Sequence, residues 1–173
     1  MKKILTLLTL LTMATATFAQ KAGEKCTFNT TDLQGNAVSD SVFAKNKLTM
    51  INIWGTFCPP CIREMPDLAK LSEANKNKGV EVMGIVIDIA DRFGKVQKKQ
   101  QKDADAIIAA TGANYTHLIP SMEMQGSVLR NIQAVPSTIF VGSDGKQIGD
   151  MYLGARSQKD WQKIIDDLLA KEK

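Results

Sequence analysis

Leu48-Thr49-Met50-Ile51-Asn52-Ile53-Trp54-Gly55-Thr56-Phe57-Cys58-Pro59-Pro60-Cys61 is the stretch on which the reading of this chain turns. Leu48–Trp54 is largely apolar and β-prone, the pattern of a central strand. Pro59 and Pro60 suit a first helical turn, whose N–H groups have no helical partner to lose. Cys58 would then sit at a helix N-terminus, where unpaired N–H groups and the positive dipole end stabilise a thiolate. Cysteines at i and i+3 fall on one side of such a turn, so their sulfurs can meet and cross-link reversibly. A strand running into a helix that opens on Cys-x-x-Cys is what a dithiol/disulfide redox site requires.

Upstream, Lys2 and Lys3 precede the apolar stretch Ile4–Met13, and Thr17-Phe18-Ala19 offers small residues for a cut before Gln20. That is the pattern of a secretory signal peptide over 1–19. The apolar stretch is too short for a membrane anchor, which needs about 20 apolar residues. No cysteine follows it directly, and Gly23-Glu24-Lys25 before Cys26 does not resemble a lipid-attachment site. Removing 19 of the 173 residues leaves 154, a size for one domain with a sizeable core over 20–173. The expected location is the periplasm or another extracytoplasmic space, where a cysteine pair is oxidised unless something keeps it reduced. Three cysteines are too few for a disulfide-stapled scaffold and suit one working pair plus Cys26. Loss of Lys2 and Lys3 takes the formal net charge from +4 to +2, which argues against nucleic acid or a membrane surface as partner.

Downstream, Pro59 to about Lys76 reads as a helix with Leu68 and Leu71 on its apolar side, Gly79 near its end and a kink or local break at Pro66. Val80–Ile89 is a long apolar run for a buried strand. Asp91–Thr111 reads as a polar helix with Val96, Ile107 and Ile108 on its apolar face, stopped at Gly112. Ser137–Gly142 and Gln147–Leu153 are strands joined by the Ser143-Asp144-Gly145-Lys146 turn. Ser157-Gln158-Lys159-Asp160 caps a final helix that turns Trp161, Ile164, Ile165, Leu168 and Leu169 to the core. Ahead of all this, Thr27–Val42 holds a hairpin turn at Asp32-Leu33-Gln34-Gly35-Asn36. The order strand–helix–strand–helix–strand–strand–helix is an α/β layer sandwich with a partly parallel sheet.

Cys-x-x-Cys is also half of a zinc site, but Cys26 and the single His117 are scattered and unpaired, so no metal is expected. Trp54-Gly55-Thr56-Phe57 is an aromatic strand end that can shield a disulfide on one side. Far along the chain, Val135-Pro136-Ser137-Thr138 opens a strand with a proline that removes a ladder N–H. A cis bond there would hold a backbone edge exposed beside the dithiol. Cys26 reads as a small buried hydrophobe in an N-terminal strand, in preference to a regulatory thiol or dimer link. His117 reads as a loop or core residue, and Met122, Met124 and Met151 as gap-fillers. Lys95, Lys98, Lys99 and Lys102 read as a solvated helix face.

W-G-T-F-C-P-P-C at 54–61, C-I-R-E-M-P-D-L at 61–68 and V-P-S-T-I-F-V-G-S-D-G-K at 135–146 closely resemble the TlpA/ResA-like thiol:disulfide oxidoreductases of the thioredoxin superfamily. The resemblance runs from about Gly23 to the C-terminal helix. It implies a thioredoxin fold, a central mixed sheet flanked by helices, with an N-terminal β-hairpin extension. It also implies an exported domain, a nucleophilic Cys58, a resolving Cys61 and a cis-proline at Pro136, with no cofactor beyond the redox-active disulfide. Glu64 matches the family's helix acid and is expected to be structural. Two positions depart from the pattern. Phe57 stands where the family usually has tryptophan, and Asn52 where cytoplasmic thioredoxins bury an aspartate. Asp88, with Asp91 behind it, is the candidate for the acid that relatives carry after the second long strand, a proton relay. The segment 90–116 is longer than the pattern leads one to expect.

These residues imply an exported reductase of protein disulfides. The Cys58 thiolate attacks a substrate disulfide, and Cys61 then attacks Cys58 and releases reduced substrate. Trp54, Phe57, Pro59 and Pro60 support the pair, and the substrate backbone lies along Val135 and Pro136 as a short added strand. The expected partners are disulfide-containing exported proteins and a membrane thiol donor. A disulfide-forming oxidant runs the same steps backwards. A copper metallochaperone would need His117 or Met122 as an added ligand. A thiol peroxidase would need threonine or serine at Gly55 and proline at Ile51.

Overall fold

The computed structural model describes residues 22–91 and 94–171. The expected signal peptide lies outside the described residues. In chain order, β1 (Asn29–Thr31) and β2 (Ala37–Ser39) form a hairpin. They are followed by β3 (Leu48–Trp54), α1 (Pro59–Asn75), β4 (Val80–Val86), α2 (Lys98–Thr111), β5 (Thr116–Leu118), α3 (Met122–Gly126), β6 (Ser137–Gly142), β7 (Gln147–Leu153) and α4 (Gln158–Lys171). No described helix is long and apolar enough to cross a membrane.

The five-stranded sheet has the order β5-β4-β3-β6-β7. The β3–β4 and β4–β5 pairs are parallel, and β3–β6 and β6–β7 are antiparallel. Every residue of β3 is buried because helices and the N-terminal segment cover both faces of its sheet. Alternation along the strands sends Leu48, Met50, Trp54, Val82 and Phe140 to one layer, where they meet Leu68 and Leu71 of α1 and Trp161 and Ile165 of α4. Ile51, Ile53, Met83, Ile85 and Ile139 enter the other, with Phe28, Phe43, Leu118, Met124 and Val128. Truncating one such side chain, as in Leu68→Ala, costs about 2–5 kcal/mol through lost transfer energy and a residual cavity.

The hairpin is fixed by its turn. Asp32 Oδ1 accepts the N–H groups of Gln34 and Asn36 at 2.9 and 2.8 Å, and Gly35 takes φ 86°. Leu33 N–H then donates to His117 O and Ile119 N–H to Thr31 O, both at 3.0 Å, so the hairpin covers the β5 edge.

The sequence reading differs from the structure in five places. β4 ends at Val86, three residues before Ile89, because the chain turns at Asp88 to meet Thr56. α2 begins at Lys98, not at Asp91. Asp91 Oδ1 accepts Lys95 N–H at 3.0 Å, a local side-chain bond that competes with helix, and Val96 pairs with Ala90 as an isolated bridge. Val96 and Lys95 therefore lie off the helix face assigned to them. α1 continues through Pro66 as one element, without the local break. β5 and α3 were not read, being three and five residues long. Cys26 is buried, but it precedes β1 and is tied by its N–H to Gly145 O at 2.9 Å.

Candidate active site

β3 ends at Trp54, and α1 begins after the four residues 55–58. Cys58 is the N-cap of α1, with extended backbone at φ −104° and ψ 94°. Its N–H donates to Gly55 O at 3.1 Å, and its carbonyl accepts Ile62 N–H at 3.2 Å. Pro59 and Pro60 fill the first two helical positions and bring no N–H. The first donor of the helix is therefore Cys61 N–H, which is aimed at Cys58 Sγ at 3.3 Å. A thiolate on Cys58 keeps this donor and the positive helix end. Cys58 and Cys61 form a disulfide with Cα atoms 5.3 Å apart. Cys58 is 4 % exposed and Cys61 is 0 % exposed, so an incoming group reaches Cys58 first.

The same end of the sheet carries the other candidates. Ile53 pairs with Ser137, which sets Val135 and Pro136 beside the end of β3. The Val135–Pro136 bond is cis, and Pro136 O accepts Gly154 N–H at 2.9 Å. Asp88, after β4, accepts Thr56 N–H at 3.0 Å through Oδ1 and the Thr56 hydroxyl through Oδ2. Both oxygens of the candidate relay thus hold the loop that leads into Cys58.

The two aromatics expected to shield the disulfide have separate places. Phe57 is 64 % exposed and folds back over Gly55, where an added Cβ would lie 2.6 Å from its ring. Trp54 is fully buried in the apolar cluster that includes Cys58 and Cys61. Its indole N–H donates to His117 Nδ1 at 3.2 Å. His117 is buried in β5 and donates through Nε2 to Ala113 O at 2.8 Å. Burial pulls its imidazole down to about 4, so it stays neutral. The core reading of His117 holds. Its bond to Trp54 was missed, although an isolated glycine in the strand run Val80–Val86 signals a close approach.

Under the site, Asn52 Nδ2 donates to Glu64 Oε1 at 3.0 Å and to Thr138 Oγ1 at 3.1 Å. Glu64 Oε2 accepts Arg156 N–H at 3.1 Å and Trp161 Nε1–H at 3.4 Å. Burial pushes the Glu64 carboxyl above the usual carboxylate range, and these donors oppose the shift. Cys26 lies in the other core layer, its thiol pushed up to about 12 by burial and by Glu24. Among the described residues, no three His, Cys, Asp or Glu side chains cluster as metal ligands. Met124 fills the core, whereas Met122 is 69 % exposed and fills no gap.

The profile of the Redoxin family matches residues 19–168. Thiol-disulfide oxidoreductase ResA of Bacillus thuringiensis subsp. konkukian is 29 % identical over 127 residues, covering 72 % of this chain. The match spans 65 % of that relative's own length. The protein of the same name from Geobacillus kaustophilus is 26 % identical over 143 residues, covering 82 % of this chain and 74 % of its own. A thiol:disulfide interchange protein of the thioredoxin family from Chlorobium tepidum superposes with a TM-score of 0.68 at 21 % identity, over 86 % of this chain and 97 % of that one. The likeness read from the three motifs is thus found again in matches over most of the chain, and the fold is that of thioredoxin. By the match over 19–168, the chain belongs to the Redoxin family.

Proposed function

We propose that this protein is a thiol:disulfide oxidoreductase that acts outside the cytoplasm and reduces disulfides of exported proteins. The observation that carries the reading is the Cys58–Cys61 disulfide at the N-terminus of α1, with Cys58 Sγ facing the first N–H of the helix. Relatives named thiol-disulfide oxidoreductase support it.

In the dithiol form, the Cys58 thiolate attacks one sulfur of a substrate disulfide. The other substrate sulfur leaves with the bonding pair and takes up a proton. Cys61 then loses its proton and attacks Cys58 Sγ, which releases the second substrate thiol and closes the Cys58–Cys61 bond. Two electrons have passed to the substrate, and a membrane thiol donor returns them. No further cofactor is needed. Asp88 takes the Cys61 proton in this scheme, and Val135, Pro136 and Phe57 receive the substrate chain.

The test is the reduction potential of the pair, measured in glutathione or dithiothreitol buffers with Cys26→Ala to remove side reactions. A value at or below about −230 mV supports a reductase that needs a dedicated donor. A value near about −120 mV reverses the direction and makes the protein an oxidant.

A further inference from the structure

β4 lies between the strand that carries Trp54 and the strand that carries His117. The register pairs Asn52 with Gly84 and Gly84 with His117, so the imidazole stands beside a position without a side chain. A Cβ built on Gly84 would fall 2.3 Å from His117 Nδ1 and 3.1 Å from Trp54 Nε1. Gly84 is absent from the glycines with positive φ, so glycine is required here for space and not for backbone freedom.

The space is filled by one hydrogen bond. An indole nitrogen can only donate, so Trp54 Nε1–H fixes His117 Nδ1 as acceptor and places the imidazole proton on Nε2, where Ala113 O receives it. Tyr115 packs on the imidazole with ring centroids 4.5 Å apart, which holds its plane. Trp54 and His117 are 0 % and 3 % exposed, so water does not compete for the bond. Trp54 O accepts Ile87 N–H at 2.9 Å, and the chain then passes through Gly55, whose carbonyl holds Cys58 N–H. The indole is therefore the last side chain anchored to the sheet before the redox loop.

We propose that His117 is a positioning residue for the dithiol. By accepting the Trp54 indole N–H across Gly84, it fixes the floor against which Cys58 and Cys61 pack, and so biases the balance between disulfide and dithiol. The inference rests on the redox reading of Cys58–Cys61 given above.

The chain has one histidine, so the ¹⁵N-labelled protein gives one pair of imidazole nitrogen signals. The expected result is the Nε2–H tautomer, with both nitrogen shifts moving when dithiothreitol reduces the disulfide. His117→Leu removes the acceptor, whereas His117→Gln offers a carbonyl to Trp54 and an N–H to Ala113. The Leu variant is expected to shift the equilibrium constant with glutathione by about fivefold, the factor set by one net hydrogen bond, and the Gln variant to recover most of it. Nitrogen signals that ignore the redox state overturn the proposal. So does a folded Leu variant with the wild-type constant, or a Gln variant shifted as far as the Leu variant. If neither variant folds, the labelled wild-type protein decides alone. These readouts need no substrate. A wild-type protein that reduces no protein disulfide, but whose His117 signals follow the dithiol, would end the functional reading and leave this one standing.

Discussion

Asn52 on β3 and Glu64 on α1 share a 3.0 Å hydrogen bond where neither meets water, Asn52 being 0 % and Glu64 4 % exposed. The buried acid beneath the dithiol is thus held by the helix, and the strand supplies a neutral amide. Glu64 is surrounded by donors: Asn52 Nδ2, the Arg156 N–H and the Trp161 indole. Such a pocket suits a carboxylate better than it suits an apolar side chain, although burial alone disfavours the charge.

The pH dependence of stability follows from that conflict. Glu64 has a raised pKa in the folded protein and an ordinary one, near 4.5, when unfolded. A raised folded pKa means the stability tied to the protonated acid is complete below the unfolded value. It is lost as pH climbs through the folded value. Glu64→Gln removes this titration, and its amide can donate to Asn52 Oδ1, a buried oxygen without a partner. The urea stability of Glu64→Gln relative to wild type is therefore expected to improve between pH 4 and pH 7.5. A gap that is constant or shrinks with pH would refute the assignment. Glu64→Ala removes the acceptor shared by Asn52, Arg156 and Trp161 and is expected to cost about 3 kcal/mol at pH 4, a cost that also shrinks toward pH 7.5 because the same titration is gone.

The three cysteines are expected to separate cleanly in labelling. In the reduced native protein at pH 8, iodoacetamide should modify Cys58, which is the more exposed of the pair and faces Cys61 N–H. Cys26, buried and with its thiol pushed up to about 12, should take label only in denaturant. Cys58→Ser should abolish disulfide reduction, and Cys61→Ser should accumulate a mixed disulfide with substrate. Mass spectrometry that finds native label on Cys26, or a trapped adduct on Cys61, would contradict this division.

Much of this arrangement could be read from the chain because its signals are local. Leu48–Trp54 and Pro59 onward were legible because a seven-residue buried run meets a helix that proline opens. The β6–β7 turn and the Ser157 cap rest on side chains that bond within three residues. What escaped was non-local. β5 is three residues of no clear period, and it becomes a strand only because β4 and the N-terminal hairpin present backbone partners to it. The start of α2 was misplaced because Asp91 prefers Lys95 N–H to a helical turn. The Trp54–His117 bond joins residues 63 positions apart, and only Gly84 hinted at it.

Phe57 is expected to serve recognition and not stability. With 64 % of its surface exposed, Phe57→Ala should change folding stability by no more than about 0.5 kcal/mol. An exposed aromatic beside a reactive group is a contact anchor, so KM for a protein disulfide should rise about fivefold, roughly 1 kcal/mol, with kcat little changed. Gly55→Ala should reproduce the effect with the phenylalanine retained, because its Cβ would collide with the Phe57 ring at 2.6 Å and push it aside. Steady-state kinetics on insulin would check both variants. An unchanged KM would remove Phe57 from the docking surface.

Asp88 has two candidate roles that a pair of substitutions can separate. Its carboxylate binds the Thr56 N–H and hydroxyl, so it holds the loop that delivers Cys58. The proposed relay asks more: Asp88 must also accept the proton that Cys61 gives up when the mixed disulfide resolves. Asp88→Asn keeps an oxygen for Thr56 N–H but loses the basic charge, while Thr56→Val loses the hydroxyl contact and leaves the charge in place. As a relay, Asp88→Asn should slow release of the mixed disulfide by about a hundredfold, the lower end for positioned proton transfer, with the first attack by Cys58 unaffected. Thr56→Val should slow neither step by more than about threefold, the lower end for one net hydrogen bond, here a part-buried one. Single-turnover kinetics with a fluorescent disulfide resolve the two steps. Equal slowing by the two variants would reduce Asp88 to a loop anchor and leave Cys61 to be deprotonated by solvent.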